Sequence, residues 1–321
     1  MKLAAVICSA VMLGTPAHAA QTYPTKPVRM IVPYVAGGNA DIQARYIAER
    51  LSEALGKPLV VDNRGGANGM IGIELAARSP ADGHTLLFVA NTFTVSPSLF
   101  SKVPYDTIRD FQPITLIGET PVLFVGSTAV AASSVKEVLA LARSRPGELN
   151  YGSTGSGSPS HLAGALLEMM TGIKLTHVPY KGMAAANLGV MTAQIQLGFP
   201  SITSVLPHVK AGKLKAFAIT TKSRSALAPA IPTMDEAGVP GYEASIWNGI
   251  LAPAGTPKAI VTRLNETIVQ ILKSPQAQER YANVGAEIRY NSPEEFAALI
   301  RTEMAKWAKV IKAAGIRPDN L

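Results

Sequence analysis

The sequence predicts an α/β protein of two lobes. Three observations lead there: apolar runs of strand length alternate with segments of helical spacing, glycine turns join them, and a late apolar strand follows a proline- and glycine-rich break. Val28 to Val32 (VRMIV) is the first such run. Pro33 ends it, and Gly37-Gly38 leads into helical spacing at Ile42, Tyr46, Ile47, Leu51 and Leu55. Leu59 to Val61 is a second strand, followed by the turn DNRGGANG and a helix-like stretch from Met70 to Arg78. Thr85 to Val89 is a third, ending in the polar turn Ala90-Asn91-Thr92, and Ser96 to Pro113 reads as turn-rich.

Val122 to Val125 opens a second region with helices at Val135 to Ser144 and Ser158 to Thr171 and strands at Ile195 to Phe199 and Leu214 to Thr220. After APAIPTMDEAGVPGY comes a strand near Ile246 to Ala252, then amphipathic helices near Pro257 to Leu272 and Pro293 to Ala314. A chain that builds one sheet unit, builds a second and then returns has two interdomain crossings. The expected division is 20–122 for the first part of domain 1, 123–244 for domain 2, and 245–321 for the rest of domain 1 with the C-terminal helices.

Lys2, the apolar run Leu3 to Leu13 and the small-residue end Ala17-His18-Ala19 form an expected secretory signal over 1–19, cut after about Ala19. The run is about half the ~20 residues a membrane-spanning helix needs, so no permanent membrane anchor is expected. Cys8, the single cysteine, leaves with the signal, and disulfide and thiolate chemistry leave with it. Hydrophobic residues make up 47% and charged residues 16%, which is the balance of a packed globular chain rather than a disordered one. The formal charge is +8, but Lys and Arg are scattered singly, so no nucleic-acid face is expected.

Ligands of open α/β sheets lie beyond the carboxyl ends of the strands, where glycine turns feed helix N-termini. Three such turns are present: Gly37-Gly38 with Asn39 and Asp41, Gly65-Gly66 with Gly69, and YGSTGSGSPSHLAG from Tyr151 to Gly164. In the third, Ser158 is placed to cap a helix and Pro159 suits its first position. Ser153, Thr154, Ser156 and Ser158, with Gly155 and Gly157, surround a helix start that carries free amides and partial positive charge. The pattern describes a neutral cradle for an anion. Glycine turns with hydroxyl caps are common in themselves; three from both predicted lobes point to a site.

Enzyme patterns fail at nameable positions. A nucleophile elbow needs Gly-x-Ser-x-Gly, and GSTGSGS offers Thr154 or Gly157 at the central place. Counting from Gly155 and Gly157, a dinucleotide loop has Ser160 where its last glycine belongs, and no Gly-Lys-Ser/Thr ending exists for a phosphate loop. His84, His161, His177 and His208 include no pair at metal-ligand spacing, so neither metal nor cofactor is expected. His161, in the first turn of the helix after the cradle, is retained as a ligand contact.

The chain resembles the substrate-binding proteins of tripartite tricarboxylate transporters, the Bug family, from about Tyr23 to the C-terminus. The resemblance rests on PYVAGGNADIQAR, DNRGGANGMIG, VPYDTIRDF, LNYGSTGSGSPSHLAG, HVPYKG, PTMDEAGVPGYE and WNGILAPAGTP, in that order. It implies a two-lobed, type II periplasmic-binding-protein fold with mixed, mostly parallel sheets that closes like a clamshell on a small carboxylate. It also implies that Pro33, Tyr34, Gly37, Gly38 and Asp41 hold ordered water against one carboxylate, that Asn91 and Thr92 face the cleft, that Ser153 to Ser158 with His161 cradle a carboxylate, that Tyr180 and Lys181 stand on the neighbouring turn, and that Trp247 lies near the returning hinge strand. Ala36, Gly65 and Ala185 stand where the family usually has proline. Pro200 follows Phe199 where many members carry an acid or amide that would pair an amino group.

The resulting expectation is a monomeric periplasmic receptor, not an enzyme. It would bind a dicarboxylate or aromatic carboxylate and hand it to transporter membrane subunits. A receptor feeding an exported sensor domain, and more remotely a hydrolase using Ser156 and His161, are the alternatives.

Overall fold

A computed structural model describes residues 23–317; the expected signal segment and its cleavage point lie outside them. Strand β1 (Val28–Val32) is almost wholly buried and runs through the Gly37 turn into helix α1 (Asn39–Leu55). That helix buries Ala44, Ile47, Ala48 and Leu51 at helical spacing and stops where Gly56 adopts left-handed backbone, φ 69°. Strand β2 (Leu59–Asn63), helix α2 (Met70–Ala77) and strand β3 (Thr85–Ala90) follow. The polar turn expected after the third strand is instead the start of helix α3 (Thr92–Leu99), and strand β4 (Phe111–Thr120) begins inside the stretch that reads as turn-rich. Pro97 and the hydroxyl-rich sequence TFTVSPSL hide this helix, because such residues ordinarily mark turns and lower helix propensity.

The chain then crosses to strand β5 (Leu123–Ser127), helix α4 (Val135–Ser144), strand β6 (Asn150–Ser153), helix α5 (Pro159–Thr171), strand β7 (Thr176–Pro179), helix α6 (Met183–Met191), the two-residue strand β8 (Leu197–Gly198), helix α7 (Ile202–Lys210) and strand β9 (Leu214–Ile219). It returns in strand β10 (Ile246–Pro253) and ends with helices α8 (Lys258–Leu272), α9 (Pro275–Asn283) and α10 (Pro293–Ala314). The first sheet has the order β2-β1-β3-β10-β4 and the second β7-β6-β8-β5-β9. In each, the fourth strand in that order is antiparallel to both neighbours, and the remaining pairs are parallel. These reversed strands, β5 and β10, are the ones that arrive from the other lobe. A strand entering from the cleft meets the sheet at the end where the others leave it.

Helices α3 and α10 are shared between lobes. Phe93 of α3 packs in the first-lobe core with Ile31, Leu87 and Trp247, while Val95 and Leu99 pack in the second-lobe core with Phe124, Tyr151 and Leu166. Helix α10 behaves the same way, with Phe296 and Ile300 in the first core and Trp307, Val310 and Ile311 in the second. Where α10 changes lobes, the buried Glu303 carboxylate accepts the indole N–H of Trp247 at 3.3 Å and of Trp307 at 2.8 Å through one oxygen, and pairs with Lys306. Lys306 also donates to the Glu243 carbonyl at 3.1 Å, on the second crossing. Removing an acceptor shared by buried donors leaves all of them unpaired, so Glu303→Ala is expected to lower unfolding free energy by about 3–5 kcal/mol. Urea unfolding followed by the emission of the two tryptophans measures it; Glu303→Gln, which keeps an oxygen acceptor, is expected to lose less.

Candidate functional site

The first half-site is the turn after β1. Asp41, 2% exposed, accepts the Gly37 N–H at 2.8 Å, Arg45 Nε at 2.9 Å and Asn63 Nδ2 at 2.8 Å. Burial alone would raise its pKa, but Arg45, the Gly37 amide and Asn63 together hold it below the ordinary carboxylate range. Asp41 therefore shapes the turn from beneath. Asn63 also donates to the Tyr34 carbonyl at 3.3 Å, and its role is not legible in the sequence because its partners Asp41 and Tyr34 lie 22 and 29 residues away. The Tyr34 hydroxyl accepts the Ala90 N–H at 2.8 Å and meets Thr92 Oγ1 at 3.2 Å, which ties this turn to the start of α3. Gly38 offers no side-chain cap to α1, so the first-turn amides of that helix stay available to a ligand. Val35, in the same turn, is 77% exposed.

Asn91 is 2% exposed, donating its backbone N–H to the Trp247 carbonyl at 3.1 Å and its side-chain amide to the Ser245 carbonyl at 3.4 Å. It binds the end of β3 to the second crossing, and its Oδ1 is buried without a partner.

The second half-site is the turn between β6 and α5. Most of its predicted donors are committed to the turn itself. Ser153, fully buried, accepts the Gly155 N–H at 3.0 Å and meets His177 Nε2 at 2.5 Å. The Ser156 hydroxyl donates to the Arg317 carbonyl at 2.7 Å, just past α10, and Ser158 caps α5 by accepting the His161 N–H at 3.3 Å. The Gly157 N–H goes to His161 Nδ1 at 3.1 Å and the Thr154 N–H to Ser160 Oγ at 3.3 Å. Left over are the exposed Thr154 hydroxyl and the N–H groups of Ser156 and Ser160, which take no acceptor among the described residues. Gly155 and Gly157 hold φ of 122° and 70°, which a side chain would resist.

His161 Nδ1 accepts a hydrogen bond, so the ring proton sits on Nε2. The ring lies flat on His177, with centroids 3.6 Å apart and planes 5° from parallel. Burial, and then the neighbouring His177, push the His161 pKa down to about 3. Tyr180 donates its backbone N–H to the Ser153 carbonyl, and Lys181 beside it is exposed. Pro200 is buried next to the first crossing, its carbonyl accepting the Leu123 N–H at 2.8 Å.

This arrangement offers hydrogen-bond donors of the kind an anion takes and little for covalent chemistry. Ser156 and His161, the pair a hydrolase would use, each bind a different partner and do not meet, and Ser153 beside His177 has no access to solvent. Among the described residues no cluster of metal-ligating side chains occurs, and no helix is long and apolar enough to cross a membrane.

Two sheets linked by crossing strands, with an amide-rich glycine turn in each lobe, are the architecture of a two-lobed binding protein. Residues 43–316 match the model of the tripartite tricarboxylate transporter family receptor, and the chain belongs to that family, whose members are receptors and not enzymes. It is 35% identical to the protein BugT of Bordetella pertussis over 300 residues, covering 93% of this chain and 92% of that one. Among solved structures it resembles Rpa4515 of R. palustris with adipate (37% identity, TM-score 0.74, covering 92% of this chain and all of that one). It also resembles MatC of Rhodopseudomonas palustris with bound malate (30% identity, TM-score 0.71, covering 90% of this chain and all of that one).

The depressed His161 pKa sets a pH dependence. The unfolded chain takes up a proton near the ordinary histidine value of about 6.5, whereas the folded chain resists until about pH 3. The stability this contributes is therefore present above pH 6.5 and is lost as pH falls from there towards 3. Melting temperature is expected to drop across that window, and His161→Asn, whose Oδ1 can still accept the Gly157 N–H, is expected to flatten the slope.

Proposed function

We propose that this protein is a periplasmic receptor, active as a monomer without metal or cofactor, that captures a small organic carboxylate between its two glycine turns and delivers it to transporter membrane subunits. The observation that carries this reading is that unspent neutral donors lie on both lobes: the α1 amides on one side, and Thr154 Oγ1 with the Ser156 and Ser160 amides on the other. Neutral donors in a closing cleft hold a carboxylate without the fixed cation that would slow its release. Family relatives with adipate and malate support the carboxylate class. The exposed Val35 offers hydrocarbon to the body of the ligand, and Pro200 supplies no charge for an amino group, which together favour a dicarboxylate or aromatic carboxylate. The apolar leader over 1–19 supports export.

A carboxylate of the right shape is expected to raise the melting temperature and lower the radius of gyration in small-angle scattering; a broad carboxylate panel without any such shift would refute the reading. Thr154→Ala removes a donor to a charged oxygen, so calorimetry is expected to show binding weaker by about 1.5–3 kcal/mol. Ser153→Ala acts through the shape of the turn, so it is expected to lower the melting temperature of the free protein as well as its affinity.

A further inference from the structure

Helix α3 begins in one half-site and ends against the other. Its first residue, Thr92, meets the Tyr34 hydroxyl at 3.2 Å, and Phe93 anchors it in the first-lobe core. From mid-helix to its end, Val95 and Leu99 are buried in the second-lobe core. Leu99 abuts the Ser153–Ser158 turn so closely that a Cβ added to Gly157 would collide with the leucine side chain. Eight residues of helix span ~12 Å, and packing against α10 holds this one in place. Helix α3 thus joins the contact network of the first turn at one end to the second turn at the other.

We propose that α3 is a strut that sets the gap between the two carboxylate turns, with Leu99 as its spacer and hence a positioning residue for ligand length. Two crossing strands alone leave the lobes free to approach until the ligand stops them. A rigid helix wedged between the turns stops them sooner, at a separation fixed by its length and by the side chain at its end. Well-packed interiors do not compress, so the bulk of Leu99 is transmitted to the Gly157 turn and not absorbed. Leu99 carries no polar group for a ligand; it acts only through where that turn stands. This inference rests on the carboxylate reading for its ligand, but not for its geometry.

The test has two arms on the protein expressed without residues 1–19, which contains no cysteine. In the first, Ile71 and Leu188, both exposed and outside the ligand turns, are replaced by spin-labelled cysteines in wild type and in Leu99→Ala, and the interlobe distance is measured without ligand. Leu99→Ala is expected to move the distance distribution to shorter values. In the second, calorimetry with unbranched α,ω-dicarboxylates of three to eight carbons is expected to show the affinity optimum moving to a shorter chain by at least one methylene, with at least a threefold change in the preference between neighbouring lengths. Leu99→Val, a smaller cut, is expected to give the same direction with less amplitude, and it decides the matter if Leu99→Ala does not fold. An unchanged distance distribution, or an affinity loss equal at every chain length, overturns the strut. A shortened distance with no dicarboxylate bound by wild type leaves the strut standing and removes the ligand reading instead.

Discussion

The second lobe is not closed by its own residues. Its hydrophobic core takes Val95 and Leu99 from α3 and Trp307, Val310, Ile311 and Ile316 from the C-terminal segment, all contributed by stretches of chain that begin in the first lobe. The rest of the architecture follows from that sharing. Each lobe must stay within reach of helices it does not own, so the lobes are held by two crossing strands and by two packed helices. Glu303 sits at the join, where one oxygen satisfies an indole from each core. A buried carboxylate costs free energy unless fully paired, and here the pairing is available only when both cores are assembled around it.

The same economy of donors governs the ligand turns. Nearly every polar group that looks available in YGSTGSGSPSH is used to hold the turn in shape: Ser153 on Gly155 and His177, Ser156 on Arg317, Ser158 on His161, and His161 on Gly157. In the first lobe, Asp41 does the equivalent with Gly37, Arg45 and Asn63. Turns fixed in this way have little freedom left to lose, the condition under which a few neutral amides bind an anion with useful strength. The Asp41 carboxylate and the His161 imidazole are spent on holding the turns, and the groups left unspent on the two turns are amides and the Thr154 hydroxyl, beside the exposed Val35 side chain.

Much of the fold is legible along the chain because the cues are local. Gly56 and Gly172 stop α1 and α5 by adopting left-handed backbone, Ser158 and Pro159 start α5, and Ser292 with Glu295 closes a capping box on α10. Elements without such cues are silent. Helix α3 carries an internal proline and hydroxyls, β8 has only two residues, α6 has no one-sided apolar stripe, and α7 and α9 are only nine residues each, so their order comes from packing. The site is legible to the same degree: the glycine turns can be read as an anion cradle, but which hydroxyls are spent cannot, because Asn63, His177 and Arg317 come from distant positions.

The sequence by itself determined that this is an α/β chain of two lobes with glycine turns at helix starts, and that it lacks the patterns of nucleotide, metal and acyl chemistry. Spacing, caps and motif failures are properties of neighbouring residues, so one dimension suffices to show them. Only the tertiary structure decided which donors remain free, that Asp41 and Ser153 work inward, and that α3 and α10 belong to both cores. Those outcomes depend on partners brought together by the crossings, and hydrogen-bond satisfaction and core membership have no signature until the partners meet.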